Sequence, residues 1–369
     1  MMKKSIFAVA VASALTLSAA QAETVLYGSI RYDYENIKAG TTDRDNISNL
    51  SDAGSRIGIR GSEDLGNGFG VIYNLEWGFD GMENKASENE SDGFHTRIAY
   101  LGLTSQWGTL TAGRQDNPFY QTIVDDTVVD DFNGSSVITA ATARAMTTTL
   151  SADRPTSGKK YDEDFDRVGK VIAYTSPEFA GFSANAAIMM DEDLYGVNSR
   201  KNADLWTINA KYAHDLGEYG EFLGKVGYIQ GKVSGRSHMK KSSKVWGLYL
   251  GYIKDALTIS AAYADGNQSN IGGQTGDKAK SKGWDLGASY SFGPNYFSTI
   301  RATYGQSELK LTNEKDKVKS WAVGFEQKLS TRTRAWVEYG KEDTKYTREK
   351  GDHPKHKVDV ISIGMRHDF

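Results

Sequence analysis

The residues Ile361–Phe369 alternate strictly to the last position. Ile361, Ile363, Met365, His367 and Phe369 share one face, while Ser362, Gly364, Arg366 and Asp368 share the other. Side chains on a strand point to opposite sides in turn, so a period of two specifies a sheet with one apolar and one polar face. The same pattern recurs upstream. Trp206, Ile208, Ala210 and Tyr212 alternate with Thr207, Asn209 and Lys211. Trp246, Leu248, Leu250 and Tyr252 alternate with Gly247, Tyr249 and Gly251. Leu257–Tyr263 and Trp284–Tyr290 repeat it, and the helical period of 3.6 is absent from these segments.

The other end of the chain decides where such strands belong. Lys3 and Lys4, the apolar stretch Ile6–Leu17 and the small-residue site Ala20-Gln21-Ala22 have the form of a secretory leader over residues 1–22. The mature chain is then 23–369, a single barrel domain. Net charge is −3 for the whole chain, and about −5 without Lys3 and Lys4, too balanced for a nucleic-acid partner. Cysteine is absent, so an exported chain draws its stability from something other than disulfides. No apolar run after the leader is long enough for a membrane helix, since Lys254-Asp255 divides the nearest candidate, Val245–Ala264. A barrel wall needs only every second residue to be apolar, so a polar average composition agrees with it.

Three apolar faces carry Trp at one end and Tyr six residues on, as aromatic girdles at two membrane interfaces require. Short connections fall at Leu65–Gly68, Trp107-Gly108, Lys254-Asp255 and Phe292–Asn295. Long polar ones cover 36–53, 81–93, 115–166, 191–203, 232–243, 267–281, 308–317 and 343–356. Eight long loops imply eight hairpins. The expected fold is therefore all-β, a 16-stranded antiparallel transmembrane β-barrel with short periplasmic turns and long extracellular loops. A barrel of that size holds an aqueous channel.

Several segments resemble the general diffusion porins of Gram-negative bacteria. Ser55–Gly68 resembles their second strand and first turn, Thr96–Leu103 their fourth strand and Gly108–Arg114 their fifth. Ser176–Phe182 and the ending Gly364–Phe369 look most like the neisserial and β-proteobacterial branch. The resemblance implies a homotrimer in the outer membrane, in contact with lipid and lipopolysaccharide. It implies a third loop folded into each barrel to narrow the pore. Phe369, ending the terminal strand, is the expected signal to the barrel-assembly machinery.

What the resemblance implies is passive diffusion of ions and small hydrophilic solutes, with no cofactor. A solute-specific channel is the alternative. No nucleophile–base set supports an enzyme. Selection in such a channel rests on width and wall charge. Arg56 and Arg97 occupy strand motifs where the family places basic-wall arginines, and alternation with Ile57 and Ile98 turns them to the lumen. Arg114, Arg167 and, more weakly, Arg31 are the further basic candidates. The segment after Arg114 is the expected constriction loop, with Asp116, Asp125, Asp126, Asp130 and Asp131 as its acids. Asp131-Phe-Asn-Gly134 resembles the tip of that loop. Thr139–Lys160 reads as an insertion that either narrows the lumen further or projects outward.

Overall fold

The computed structural model describes residues 23–39, 46–82, 94–150, 165–190, 205–234, 240–269, 278–311, 314–347 and 355–369. The expected leader, residues 1–22, and the second half of the expected insertion, from residue 151, lie outside them. The wall begins with β1 (Glu23–Ala39), β2 in two segments (Ile47–Asp52 and Arg56–Gly66), β3 (Phe69–Phe79), β4 (Phe94–Ser105) and β5 (Gly108–Asp116). It continues with β6 (Arg167–Thr175), β7 (Phe182–Met189), β8 (Leu205–Asp215), β9 (Glu221–Ser234), β10 (Lys240–Lys254) and β11 (Leu257–Ser269). It ends with β12 (Lys278–Phe292), β13 (Ser298–Lys310), β14 (Lys315–Lys328), β15 (Thr333–Thr347) and β16 (Lys355–Asp368). Each strand pairs antiparallel with its sequence neighbour.

Both segments of β2 pair with β1, so they are one strand interrupted at Ala53–Ser55. Asp52 makes the interruption: its Oδ1 accepts from the amides of Gly54 and Ser55, both at 2.7 Å. The sheet closes where β1 pairs β16, from Ser29 opposite Asp368 to Ala39 opposite Val358. Gly28 and Phe369 exchange backbone hydrogen bonds at 3.2 and 3.1 Å, so the last residue completes the ring. Closure leaves no unpaired edge in the hydrocarbon layer, where an open amide would cost several kcal/mol.

Strands run further than alternation indicates. β1 reaches Ala39, β2 begins at Ile47, and β13 and β14 continue to Lys310 and from Lys315, all inside the expected loops. Beyond the membrane both faces of a hairpin are polar, so pairing persists while the apolar–polar contrast disappears.

The outer face carries the expected aromatics. Trp206–Tyr228, Trp246–Tyr263, Trp284–Tyr304 and Trp321–Tyr339 form four inter-strand ring pairs with centroids 5.2–5.5 Å apart. They set one interfacial belt on the extracellular side of β8–β15. Phe182, Tyr212, Tyr290, Phe292 and Phe325 form ring contacts toward the periplasmic end.

The lumen departs from a simple wet channel. The chain between β5 and β6 turns inward and forms α1 (Pro118–Ile123) and α2 (Ala141–Leu150). Phe119, Ile123, Val124, Met146 and Leu150 from this loop pack on inward-facing Val171, Met189, Leu205, Leu223, Ile229, Val245 and Tyr249 of the wall. One side of the lumen is therefore a dry core. The first half of the insertion, through Leu150, lies inside the barrel and not outside it.

The close fit requires glycine on the wall. A Cβ at Gly340 would lie 1.7 Å from the Val137 carbonyl oxygen, and one at Gly283 would lie 2.0 Å from that of Ala141. Gly340→Val should push the loop off β15 at a cost of about 1–3 kcal/mol. The expected result is a lower thermal unfolding midpoint in detergent and new protease cleavage in 130–145; an unchanged midpoint and cleavage pattern would contradict the contact.

Candidate functional site: the lumen constriction

The inward loop is positioned by its own caps and by the wall. Asn117 caps α1, its Oδ1 accepting from the Phe119 amide at 3.0 Å, while Pro118 occupies the first turn where no amide is needed. Lys225 of β9 pairs with Asp126 at 2.7 Å and also donates to the Gln121 carbonyl at 3.1 Å. The Tyr249 hydroxyl donates to the Asp126 carbonyl at 2.9 Å. These contacts hold the descending limb against β8–β11.

The loop tip then crosses to the opposite wall, where carboxylates accept its amides. Glu338 accepts from the amides of Asn133 and Gly134 at 3.0 and 2.8 Å. Glu35 accepts from Ser136 at 2.7 Å and Asp33 from Ser135 at 3.3 Å. The Asn133 side-chain amide donates to Glu326 at 3.0 Å. Arg301 pairs with Glu326 at 3.0 Å and Glu338 at 3.5 Å, donates to the Asp131 carbonyl, and lies 5.8 Å over the Phe132 ring. The returning limb starts α2 on Asp285, whose two oxygens accept from the amides of Ala141 and Thr142, both at 2.8 Å, and from the Thr142 hydroxyl at 2.6 Å. A wall carboxylate thus caps the helix from outside the loop and neutralises the positive end of its dipole. Hydrogen bonds to ionised groups contribute about 1.5–3 kcal/mol each, so these anchors outweigh ordinary loop contacts.

Opposite the loop the wall is basic. Arg97 donates from Nε to Glu76 at 2.7 Å, and Arg56 approaches the same oxygen at 3.9 Å. Arg31 lies within electrostatic reach of Arg56, Arg97 and Arg366, and Arg56 of Arg167. Register adds a row: Arg31 stands opposite Arg366, Arg366 opposite Arg334, and Arg334 opposite Lys328. Four cations thus cross β1, β16, β15 and β14 at one level near the periplasmic end. Asp368 serves both Arg366 and Arg334, and Glu326 reaches Arg334 at 3.7 Å. A cavity of about 700 Å³ separates this row from the loop residues Asp130 and Asp131.

The basic residues expected from sequence divide. Arg56, Arg97, Arg167 and Arg31 come together on one side of the lumen. Arg97 does so for a different reason from alternation. Register places Ile98 opposite Glu76, on the lumen side, and the pairing skips Arg97. A bulge redirects the arginine inward. Arg114 does not join them. It stands opposite Ala99, itself opposite Leu75 on the lipid-facing side, and its Nε donates to the Thr96 carbonyl at 3.0 Å. An irregularity between Gly113 and Gln115 accompanies this departure.

The acids also separate. Asp116 ends β5 opposite Arg167. Asp126 is held by Lys225, and Asp130 and Asp131 face the cavity. Burial, reinforced by the nearby Asp116 carboxylate, pushes Asp125 up to about 7. Burial likewise raises Asp131 to about 6, against the pull of Arg301. The loop-anchoring acids Asp33, Glu35, Asp285, Glu326 and Glu338, the arginine partner Glu76, and the cations Arg301, Lys328, Arg334 and Arg366 are not singled out by sequence reasoning. A signal exists: Leu75-Glu-Trp77, Trp284-Asp-Leu286 and Val337-Glu-Tyr339 each set one charge between two lipid-facing apolar residues.

Family comparison fits this architecture. A model described as Gram-negative porin matches residues 8–347. The chain belongs to that family. Curated relatives include the major outer membrane protein P.IB of Neisseria gonorrhoeae, 26% identical over 92% of this porin and 93% of the relative. The P.IB protein of Neisseria meningitidis serogroup B is 25% identical over the full length of both. Among solved structures, the anion-selective porin from Comamonas acidovorans superposes with a TM-score of 0.72 at 20% identity, covering 95% of this chain and 100% of that one. OmpT of Vibrio cholerae in its trimer form gives 0.63 at 15%, covering 94% and 99%. This porin is thus an outer-membrane channel of 16 antiparallel strands and not an enzyme.

The raised carboxyls predict a pH response. Between pH 7.5 and 5, Asp125 and Asp131 take up protons, and the loop loses negative charge while the arginines keep theirs. The reversal potential in a salt gradient should move toward anions over that interval, and Asp131→Asn should shrink the movement. A reversal potential flat from pH 7.5 to 5 would contradict the placement of these acids.

Proposed function

We propose that this porin is a general diffusion channel for ions and small hydrophilic solutes, with a preference for anions, working as a homotrimer. The observation that carries the reading is the inner row Arg31–Arg366–Arg334–Lys328, with Arg56 and Arg97 adjoining it. Glu76, Asp368 and Glu326 are shared among these cations and leave excess positive charge beside the cavity. In a low-dielectric wall such an excess concentrates anions from the surrounding water.

Width is set by the loop, whose carboxylate anchors fix it against the opposite wall. Aspartates on the loop and guanidiniums on the wall create a field across the gap. Water orders along that field, and an apolar solute that displaces it loses the associated hydrogen bonds. Charged and polar solutes keep theirs, so the filter is chemical as well as geometric. Mixed charges around the opening support broad passage over recognition of one solute. The Comamonas acidovorans protein of the same fold is an anion-selective porin, which supports the preference. The trimer form of the Vibrio cholerae relative supports the assembly.

Single-channel recording in planar bilayers tests the reading. The expected result is stepwise conductance, a reversal potential of anion-selective sign, and linear dependence on solute concentration. Replacing Arg56 and Arg97 with Ala should raise conductance and move the reversal potential toward cations. Unchanged conductance and selectivity in that variant would remove these residues from the pore wall, and saturating flux for one solute would favour a specific channel.

A further inference from the structure

Helix α2 belongs to the insertion at 139–160 and lies inside the barrel. Its sequence, Ala-Thr-Ala-Arg-Ala-Met-Thr-Thr-Thr-Leu, carries one charge, that of Arg144. The four threonines make it read as polar, but their hydroxyls are used locally. Thr147, Thr148 and Thr149 donate to the carbonyls of Ala143, Arg144 and Ala145 at 3.0, 2.7 and 2.9 Å, and Thr142 donates to Asp285. Such back-bonding to the preceding turn leaves methyl groups on the helix surface. All its residues but Thr147 and Thr148 are buried.

The wall is shaped to receive this helix. Gly305 on β13, Gly283 on β12 and Gly266 on β11 lie beneath it. A Cβ at Gly305 would stand 3.1 Å from that of Ala141, and one at Gly266 would stand 2.6 Å from the Thr149 hydroxyl. A wall of this many strands, about 4.8 Å apart and tilted about 40°, encloses roughly 30 Å between opposite backbones. A helix with its side chains fills about 10–12 Å of that width. Over the arc β11–β13, α2 therefore replaces the wall as the lining of the pore.

Packing contributes less here than in a leucine-rich helix. Only Met146 and Leu150 are large apolar side chains, and the methyls of alanine and threonine bury little area. Asp285 fixes the first turn. Arg144 adds a tie to a more distant strand: it pairs with Glu342 of β15 through both nitrogens, Nη2 to Oε2 at 2.5 Å and Nη1 to Oε1 at 3.4 Å. It also lies within electrostatic reach of Asp285. Glu342 stands four residues beyond the tip anchor Glu338, roughly 13 Å along β15 at about 3.3 Å per residue. It follows Tyr339 of the extracellular aromatic belt, so the pair sits at the outer mouth of the pore. The Arg144 side chain is 10% exposed and that of Glu342 28%, so the pair bridges dry protein and lumen water.

We infer that Arg144 is a positioning residue of the channel: by gripping Glu342 it holds α2 flat against the wall and so fixes the width of the extracellular mouth. A bidentate guanidinium–carboxylate pair suits the task, because it sets orientation as well as distance. The role concerns the channel itself and is independent of the anion preference and the range of solutes proposed above.

The test uses the full channel in planar bilayers, at voltages where the parent current is steady. E342Q leaves Arg144 charged but without its Glu342 partner, whereas R144M takes the charge off α2. In E342Q, brief partial closures are expected as α2 moves into the lumen. They should be at least about twofold more frequent at one polarity of 100 mV than at the other, as for a charge displaced through roughly a tenth of the field. Closures in R144M should show no polarity dependence, since the moving element is then uncharged. General loosening of the barrel would give both variants the same record. A third variant, R144C/E342C, holds the only two cysteines in the chain. Bridging them with a short, cleavable bifunctional thiol reagent should return the current to the parent record, and cleaving the bridge should bring the closures back. A steady E342Q current, closures equally frequent at both polarities in that variant, a polarity dependence shared by R144M, or no effect of the bridge would overturn the proposal.

Discussion

The structure depends on buried carboxylates accepting backbone amides inside the lumen. A loop folded into a barrel leaves the water that would otherwise satisfy its peptide groups, and each unsatisfied group carries a penalty of roughly 1–3 kcal/mol. Glu338, Glu35, Asp33 and Asp285 remove that penalty at the tip and at the start of α2. The exchange is mutual. Four acidic side chains buried in a membrane barrel need donors, and the loop supplies them. Arg301 completes the arrangement by neutralising Glu326 and Glu338 while gripping the Asp131 carbonyl. Removing one partner leaves an uncompensated charge, which ties the position of the loop to the integrity of the wall.

Docking divides the lumen into two regions with different physics. Against β6–β11 the loop and wall form an apolar core as dry as that of a soluble domain, with Phe119, Ile123 and Met146 fully buried. Against β1 and β14–β16 the loop makes a smaller apolar contact, where Val137 packs on Ala322 and Val360, and beside it a polar cavity is lined by Arg31, Lys328, Arg334 and Arg366. The same polypeptide therefore presents lipid, dry protein and water to different arcs of one sheet. Strands such as β10 satisfy this by carrying large apolar residues outward, Trp246, Leu248 and Leu250, while Val245 and Tyr249 face inward against the loop.

Legibility in the sequence follows the same division. Where one face meets lipid and the other water, alternation names both faces, and Ile361–Phe369, Trp206–Tyr212 and Trp284–Tyr290 can be read residue by residue. Where both faces are polar, as in the hairpins beyond the membrane, alternation carries no signal, and the loops read longer than they are. Bulges defeat it more sharply. Arg97 reaches Glu76 through an irregular pairing in which one extra residue shifts the phase of the strand, whereas Arg114 follows Leu110 and Ala112 onto the lipid side by plain alternation. Loop anchoring is hidden for a different reason. Glu338 and Asp285 look like any polar inward residue until register brings them to a backbone more than 140 positions away in sequence.

The absence of native cysteine opens the divided lumen to direct measurement, because any introduced thiol is the only one. Single cysteines at Arg366 and Arg56, on the wet side, and at Met146 and Val128, under the loop, can be exposed to a small charged thiol reagent while current is recorded. Rapid labelling with a stepwise fall in conductance is expected for Arg366→Cys and Arg56→Cys, and no reaction for Met146→Cys and Val128→Cys in the folded channel. Comparable labelling at all four positions would show water on both sides of the loop and contradict a lumen divided by carboxylate anchoring.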